Sequence, residues 1–323
     1  MYEKLICVAA LMGAGFAVAQ TVPETAYPVK PLRMIVPNSP GSATDTVARI
    51  IALRLAPRLG QPVLVENRGG AGGMIGSDIV AKAAPDGYTI GLVSGTHTVN
   101  PSLYAKMPFD PVKDFAPITL ATAQPYMLVS HPSLPARNIK EMAALAKGRP
   151  GQINFGSSGS GSLGHLTIEQ IKLTFGINMT HIPYKSIGPA LTDVMGGHIS
   201  MLCPTFVSAL PQVKAGRLIG LGVSTANRAI LAPEIPTIAE QGLPGFDVSG
   251  WFGLFTTGAT PAAIVNRLNS EIVAILQLPE VKERFLADGS RAVGNTPAEF
   301  DAHIKAEIAR WARVVKAANI KPE

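Results

Sequence analysis

The sequence predicts an α/β protein of two lobes, in which two sheets flanked by helices enclose a hinged cleft. Short apolar runs alternate with helical patterns along the chain, which is typical of a parallel sheet with helices on its faces. The 323-residue chain exceeds the length at which a single core stops growing, so two domains are expected. With 47% hydrophobic residues, the chain can bury two cores.

The N-terminal segment has the pattern of a secretory signal peptide. Lys4 precedes an apolar run over residues 5–18, and Ala17-Val18-Ala19 offers a small-x-small cleavage pattern. The run is shorter than the roughly 20 apolar residues that a membrane span needs. We predict a signal peptide over residues 1–19 and a periplasmic mature protein; a retained membrane anchor is the alternative.

Composition narrows the classes of function. Without the signal peptide Cys203 is the only cysteine, so the mature chain can form no internal disulfide and must be stabilised by packing. The net charge is +6, but only 15% of the residues are charged and no long Lys/Arg run is present, which argues against a nucleic-acid surface. The mild positive bias fits anionic small molecules.

The first strand and helix units follow the leader directly. Residues 32–36 are predicted as a buried strand, and residues 44–59 as a helix with apolar residues on one side. Residues 62–66 form the second predicted strand, and a glycine-rich stretch over residues 68–73 leads into a second helix. Residues 88–94 are the third predicted strand, so this part of the chain has the order expected of one sheet.

A second strand and helix series begins at residue 125 and is predicted to form an inserted lobe. The predicted strands are residues 125–130, 153–155, 180–182, 199–202 and 218–223, and the predicted helices are residues 139–147, 163–174, 189–195 and 207–214.

The C-terminal part returns to the first lobe with a strand over residues 251–255 and three helices. Thr260-Pro261 predicts the start of a helix over residues 262–276. Thr296 and Glu299 predict a capping box at the start of the last helix.

These units predict how the chain is divided between the lobes. We expect lobe 1 to contain residues 27–122 plus 225–323 and lobe 2 to contain residues 123–224. The two chain crossings that this division requires would permit hinge closure.

Two loops carry the predicted chemistry, over residues 37–45 and 156–165. Each follows a predicted strand, opens a helix and is rich in Gly and Ser. A helix N-terminus has unpaired N–H groups and about half a unit of positive charge, so it can bind an anion without a cationic side chain. Ordinary helix caps are the alternative interpretation. Asp45 could cap its helix or contact a ligand, whereas Asp193 is interpreted as serving a helix dipole.

Enzymatic interpretations are weaker. Gly159, Gly161 and Gly164 match the dinucleotide fingerprint in form, but Tyr184 stands where an acidic ribose partner is expected. The serine-rich second loop makes a hydrolase the main enzymatic rival, yet no Gly-x-Ser-x-Gly elbow is present. The histidines form no HExxH motif and no CxxC pair occurs. We therefore expect no enzymatic activity, no cofactor and no metal.

Motifs spread over nearly the whole mature chain point to one protein family. They include Pro40-Gly41-x-x-Thr44-Asp45, Glu66-Asn67-Arg68, Pro85-Asp86-Gly87-Tyr88-Thr89, Asn100-Pro101-x-Leu103-Tyr104, Gly156-Ser157-x-Gly159-x-Gly161-Ser162-x-x-His165, Pro183-Tyr184-Lys185 and Trp251-Phe252-Gly253. Together they resemble the Bug-type solute receptors of tripartite tricarboxylate transporters.

The resemblance implies a periplasmic binding protein of the type II flytrap kind. Its two lobes would close on an extended carboxylate held mainly by backbone amides and bridging waters, and its partners would be membrane permease subunits. We expect a monomer. A sensor subunit that binds the same ligand and signals to a membrane kinase is the rival function. The residues implied in ligand binding are Pro40, Gly41, Ser42, Thr44, Asp45, Ser94, Thr96, Ser157, Ser158, Gly159, Ser160, Gly161, Ser162, His165, Lys185 and Thr205.

Departures from the family pattern bear on the class of ligand. Asn38 and Ser42 stand where the family often has an aromatic residue and a second glycine, and Ser200 stands where an acidic residue is frequent. Residues 203–205 replace a segment that commonly contains an Asp. An amino-acid ligand needs a carboxylate for its ammonium group, so we hypothesise a simple organic acid instead.

Overall fold

The computed structural model describes residues 27–321, which build two mixed β-sheets flanked by helices. The predicted signal peptide lies outside these described residues. Within residues 27–321, no helix combines the length and the apolar composition that crossing a bilayer requires. The elements follow in chain order as β1 (Leu32–Val36), α1 (Ala43–Leu59), β2 (Val63–Asn67), α2 (Met74–Ala81), β3 (Thr89–Ser94), α3 (Thr96–Leu103), β4 (Phe115–Pro125), β5 (Met127–Ser130), α4 (Ile139–Gly148), β6 (Asn154–Ser157), α5 (Leu163–Phe175), β7 (Thr180–Pro183), α6 (Ile187–Met195), β8 (Met201–Leu202), α7 (Phe206–Lys214), β9 (Ile219–Val223), β10 (Ser249–Thr257), α8 (Ala262–Leu276), α9 (Pro279–Ala287), β11 (Arg291–Ala292) and α10 (Pro297–Ala317).

The first sheet has the strand order β11-β4-β10-β3-β1-β2. Strand β1 pairs in parallel with β2 and β3, whereas β10 is antiparallel to β3 and β4. Strands β1 and β3 are buried along most of their length, which explains why both are apolar runs without polar alternation.

The second sheet has the order β7-β6-β8-β5-β9. Strand β6 is parallel to β7 and β8, and β5 is antiparallel to β8 and β9. Both sheets are therefore mixed, with antiparallel pairs beside the parallel ones. The chain leaves the first sheet along β4 and returns along β10, so these neighbouring strands run in opposite directions, and the same holds for β5 and β9.

A single serine ties the two chain crossings together. The Ser224 hydroxyl accepts a hydrogen bond from the N–H of Tyr126 at 2.8 Å and donates one to the carbonyl of Val248 at 2.6 Å. Ser224 is completely buried. Its hydroxyl therefore holds the outgoing segment, the returning segment and the approach to β10 at one point.

Helix α10 forms a further link between the sheets. Phe300 and Ile304, in its first half, lie in the core of the first sheet. Trp311 and Val314, in its second half, pack in the same core as Phe155 of the second sheet.

The caps of two C-terminal helices test the predicted helix starts. The predicted capping box at Thr296 and Glu299 is present at the start of α10 and is confirmed. The predicted cap at Thr260 is wrong, because α8 begins after Pro261 and the Thr260 hydroxyl lies 3.3 Å from the hydroxyl of Thr256 instead.

Two elements that position the site are absent from the sequence prediction. Strand β4 contains Pro117 and Pro125, and its pairing with β10 is shifted in register, so no regular apolar alternation marks it. Helix α3 has the sequence THTVNPSL, rich in β-branched residues and interrupted by Pro101, which gives it low helix propensity. Tertiary packing forms both elements against their local preferences.

We predict that Gly253→Ala destabilises the contact between β10 and α10. An added methyl group at Gly253 would overlap the ring of Phe300, so the free energy of unfolding should fall by about 1–3 kcal/mol in urea denaturation. Gly188→Ala in α6 is the control, because a methyl group there meets open space and should leave stability unchanged or raise it by up to about 1 kcal/mol. Equal stability of both variants would contradict the overlap.

Candidate functional site

A cavity of about 250 Å³ lies where three segments of the first sheet meet. Its walls come from the start of the first predicted loop, the glycine-rich loop after β2 and the start of α3. Ser94 and Thr96, both predicted as floor residues, line this cavity, and their hydroxyl oxygens lie 2.8 Å apart. None of the described residues that line it is Asp or Glu, so the cavity offers no carboxylate to a cation.

The first loop makes a tight turn before α1 and fills its own cap. Gly41 has φ of +76°, a left-handed conformation that favours glycine, and its N–H donates to Asp45 Oδ2 at 2.9 Å. Ser42 is the N-cap of α1, and its Oγ accepts a hydrogen bond from the N–H of Asp45 at 3.3 Å. Asn38 Nδ2 donates to Thr44 Oγ1 at 3.0 Å. The side chains of this loop therefore bond one another.

Asp45 holds this loop in shape. Its side chain is buried, and its carboxylate accepts hydrogen bonds from Arg49 Nε and Asn67 Nδ2, each at 3.0 Å, besides the one from Gly41. The hydrogen bond from the Arg49 guanidinium lowers the pKa of Asp45 below its usual value. Of the two roles left open by the sequence, the geometry supports the structural one.

The second loop is shaped by two left-handed glycines and by several hydrogen bonds within the loop. Gly159 has φ of +119° and Gly161 has φ of +79°. The N–H of Gly159 donates to Ser157 Oγ, and the N–H of Gly161 donates to His165 Nδ1, each at 3.1 Å. The N–H of Ser162 donates to the carbonyl of Gly159 at 3.1 Å. The loop thus returns on itself directly before α5.

The helix that follows this loop begins without a filled cap. Ser162 is the N-cap of the 13-residue helix α5, but its side chain makes no cap hydrogen bond. Its Oγ is buried and has no hydrogen-bond partner among the described residues. Leaving a buried hydroxyl unpaired costs about 1–3 kcal/mol. A hydrogen-bond partner from outside the described residues would remove this cost at the start of α5.

Two stacked imidazoles lie behind the second loop. The rings of His165 and His181 are 3.7 Å apart and nearly parallel, and the ring of Phe155 continues the stack. His165 is 4% exposed and its Nε2 lies 3.6 Å from Oε1 of Glu169, so its side chain faces the interior of the lobe. This predicted ligand residue therefore supports the loop from behind.

Helix α3 lies between the two sides of the site. Asn100 Nδ2 donates to the carbonyl of Gly72 in the glycine-rich loop at 3.2 Å. Leu103, at the other end of α3, packs so closely on Gly161 that a methyl group on Gly161 would overlap it. The segment after β3 thus contacts both the first-sheet cavity and the second loop.

The remaining predicted residues differ in exposure. Pro40, Ser158 and Lys185 are exposed, and Lys185 has no ion pair within the described chain. Ser160 is half-buried, and Thr205 lies at the start of α7. Their contact with a ligand stays a prediction.

Tyr184 and Asp193 form a supporting pair beside the second loop. The Tyr184 hydroxyl donates to Asp193 Oδ2 at 2.6 Å, and burial together with this carboxylate raises the pKa of Tyr184 to about 12. Asp193 lies near the C-terminal end of α6, so the interpretation that it serves a helix dipole is wrong.

Sequence reasoning missed several residues that line the cavity. The glycine-rich loop contributes Gly69 and Gly73, and α3 contributes Asn100. The signal was present, because a glycine run after a predicted strand often marks a close approach to a ligand. Asn100 belongs to a motif of the family resemblance, but its place in the cavity was not predicted, because α3 itself was not predicted.

A larger cavity of about 440 Å³ lies elsewhere on the molecule, where β4 and β10 approach the chain crossings. Apolar side chains including Phe206, Ile230, Leu231 and Leu286 line much of it, and it contains none of the predicted site residues. Within residues 27–321, His, Cys, Asp and Glu form no group of three that could hold a metal ion.

Comparison with known proteins finds relatives along nearly the whole chain. The model of the tripartite tricarboxylate transporter family receptor matches residues 47–320. Protein BugT of Bordetella pertussis is 37% identical over 320 residues, which cover 98% of each chain.

Solved structures extend the similarity to the fold. The structure of R. palustris Rpa4515 with adipate is 34% identical, has a TM-score of 0.77 and is matched over 92% of this chain and 100% of that chain. MatC (Rpa3494) from Rhodopseudomonas palustris with bound malate is 33% identical, has a TM-score of 0.73 and is matched over 90% of this chain and 100% of that chain.

We predict that Asp45→Asn destabilises the protein by about 1–3 kcal/mol at neutral pH, because a carboxylate that accepts three hydrogen bonds loses part of that capacity. The folded-state pKa is lowered, so the stabilisation is complete above the unfolded carboxyl pKa near 4 and is lost as the pH falls through the lower folded value. Urea denaturation should therefore show the gap between wild type and variant closing below about pH 4.

The control is Asp301→Asn, which removes an exposed ion pair with Lys305 and should change stability by less than about 0.5 kcal/mol. A gap for Asp45→Asn that did not vary between pH 7 and pH 3 would show that the carboxylate charge is not the stabilising feature.

Proposed function

The chain belongs to the tripartite tricarboxylate transporter receptor family, and from this premise we propose that it captures a small organic carboxylate for a membrane permease. Members of this family with known structures bind carboxylates, as Rpa4515 with adipate and MatC with malate illustrate. For this chain the ligand would lie between the first-sheet cavity and the second loop.

The main support for this proposal is the N-terminal end of α5, where the N-cap residue Ser162 makes no cap hydrogen bond. Ser42, Asn138 and Thr296 each accept a hydrogen bond from the first turn of their own helix, whereas the buried hydroxyl of Ser162 has no partner in the described chain. The first-turn amides of α5 and the Ser162 hydroxyl are all donors. A carboxylate oxygen is the acceptor that satisfies such a group of donors without a cationic side chain.

The ligand class that we propose is a simple organic acid rather than an amino acid. The cavity beside Ser94 and Thr96 has no Asp or Glu among its described lining residues. An ammonium group placed there would lose water and gain no charged partner, which is unfavourable. Hydroxyl and amide groups of the lining suit a second carboxylate or a hydroxyl group.

Closure of two lobes is part of the same proposal. The sequence predicts a first lobe of residues 27–122 plus 225–323 and a second lobe of residues 123–224, and we propose that the hinge lies at the crossings joined by Ser224. Ala232 and Ile235 pack in a core of the second sheet, and so does Leu243. This packing supports a return crossing that bends near Ser249, later than the predicted boundary.

We further propose that the mature protein works in the periplasm as a monomer and performs no chemistry on its ligand. Ser157 Oγ lies 2.7 Å from His181 Nε2, a spacing that a nucleophile and its base can share. However, Ser157 is 2% exposed and its hydroxyl already accepts the N–H of Gly159. A substrate carbonyl would have no path to this oxygen.

The function is tested by a thermal-shift panel of mono-, di- and tricarboxylates with aspartate and glutamate included. An acid at 100 times its dissociation constant should add about 2.7 kcal/mol of stability, which corresponds to a rise in Tm on the order of 5 °C or more. We expect organic acids to raise Tm and the two amino acids to leave it unchanged. Stabilisation by the amino acids alone would contradict the ligand class, and no response to any acid would contradict the function.

Substitution of the two cap serines distinguishes a ligand anchor from an ordinary cap. Ser162→Ala should weaken binding of the best acid about tenfold or more in titration calorimetry, because a hydrogen bond to a charged group is lost. It should leave the stability of the free protein unchanged or raise it by up to about 3 kcal/mol, since a buried hydroxyl without a partner among the described residues is removed. Ser42→Ala should instead lower that stability by about 1 kcal/mol.

Ser270→Ala on α8 is the control for binding, because the Ser270 hydroxyl bonds only its own helix at the carbonyl of Arg267. If Ser162→Ala binds as tightly as Ser270→Ala, the start of α5 is not where the carboxylate is held.

A further inference from the structure

We propose that His165 is the positioning residue of the second loop, because its Nδ1 atom holds the N–H of Gly161 and so fixes the open end of α5. The inference rests on the proposed function, since that open end is the proposed carboxylate anchor. It assigns to His165 a role that does not require contact with the ligand, and it makes ligand affinity depend on the hydrogen bond from the Gly161 N–H to Nδ1.

The hydrogen bond from Gly161 fixes which tautomer the ring adopts. The Gly161 N–H donates to His165 Nδ1 at 3.1 Å, so Nδ1 is an acceptor and carries no hydrogen. The hydrogen of the neutral ring is then on Nε2, which lies 3.6 Å from Glu169 Oε1. The carboxylate of Glu169 thus favours the one neutral form in which Nδ1 can accept from the loop.

The position of His165 in its helix resembles half of a capping box. In α10, Glu299 at the third position accepts from the cap residue while the cap residue Thr296 accepts from Glu299. In α5, His165 is also at the third position, but it accepts from Gly161, one residue before the cap. The loop is held from the helix side, and the Ser162 hydroxyl stays without a partner in the described chain.

The loop depends strongly on this bond. Gly159 and Gly161 both have positive φ, a conformation without a side-chain preference to maintain it. Ser157 exchanges hydrogen bonds with the backbone of Gly159, and Ser162 N–H donates to the carbonyl of Gly159, but the N–H of Gly161 itself is held by His165. If Gly161 moves, the cap residue next to it must move as well.

The surroundings of the ring hold it in place on every side. His181 of β7 stacks on it at 3.7 Å, and Lys172 pairs with Glu169 at 2.7 Å on the same helix. Burial alone would raise the pKa of Glu169, but hydrogen bonds from His165 and Lys172 outweigh burial and lower it, so this group stays a carboxylate. Cys203 packs on the first turn of α5, and burial raises the pKa of its thiol, so it stays neutral.

Two substitutions separate the acceptor from the rest of the side chain. In His165→Asn the side-chain oxygen can lie near the position of Nδ1 and accept from Gly161 without titrating. In His165→Gln the oxygen is one bond further along the chain, near the position of Nε2, and cannot replace Nδ1. Both variants remove the imidazole stack equally, so a difference between them reports the acceptor.

The first measurement needs no ligand. Nitrogen NMR shifts of His165 should show the Nε2–H tautomer, and amide exchange at Gly161 should be slow in wild type and in His165→Asn. In His165→Gln this exchange should be at least about tenfold faster.

The second measurement uses malate and adipate as probes in calorimetry at pH 8. His165→Asn should retain most of the wild-type affinity, and His165→Gln should bind about tenfold more weakly.

Several results would overturn the proposal: equal exchange of Gly161 in His165→Gln and wild type, equal affinity of His165→Gln and wild type for an acid that binds, or identical behaviour of the two variants. If neither acid binds any form of the protein, the exchange and tautomer data still decide whether His165 positions the loop, and the failure belongs to the proposed function.

Discussion

The hydroxyl group of Ser224 joins the two chain segments that connect the sheets, because it accepts from Tyr126 and donates to the carbonyl of Val248. The strands on either side of these crossings must therefore stay adjacent, and β10 is antiparallel to β4 in the middle of the first sheet. This arrangement places α3, which follows the neighbouring strand β3, beside the loop of the second sheet. The candidate site is a consequence of that adjacency.

The two loops that open α1 and α5 look alike in sequence but are used differently. The first is satisfied internally, since Asp45 collects hydrogen bonds from Gly41, Arg49 and Asn67. The second is supported from behind by the imidazole of His165, which leaves the Ser162 hydroxyl without a partner in the described chain. The start of α1 is therefore closed by its own hydrogen bonds. The start of α5 keeps a buried donor, the Ser162 hydroxyl, that has no acceptor in the described chain.

This division of roles explains how an anion could be selected with little formal charge. The net charge of +6 is spread over the chain, and Lys185, the one lysine among the predicted ligand residues, is exposed. Selectivity would come from backbone dipoles and hydroxyl groups that are already in place, which reduces the cost of ordering the site when the ligand enters. The described lining of the cavity contains no carboxylate, so an ammonium group would lose its hydration there without gaining a charged partner.

The sequence by itself determined the two-lobed α/β fold class, the family and the local signals. Strand β1, helix α8 and the capping box of α10 are where the sequence places them, because hydrophobic periodicity and caps depend on neighbours within a few residues. Only the tertiary structure decided the mixed strand pairing, the existence of α3 and the roles of Asp45 and His165. Asp45 bonds Asn67 from 22 residues away, and His165 stacks on a residue from a neighbouring strand, so no local pattern encodes either contact. Whether a polar side chain supports a loop or faces a ligand depends on such distant partners, and these meet only when the sheets are assembled.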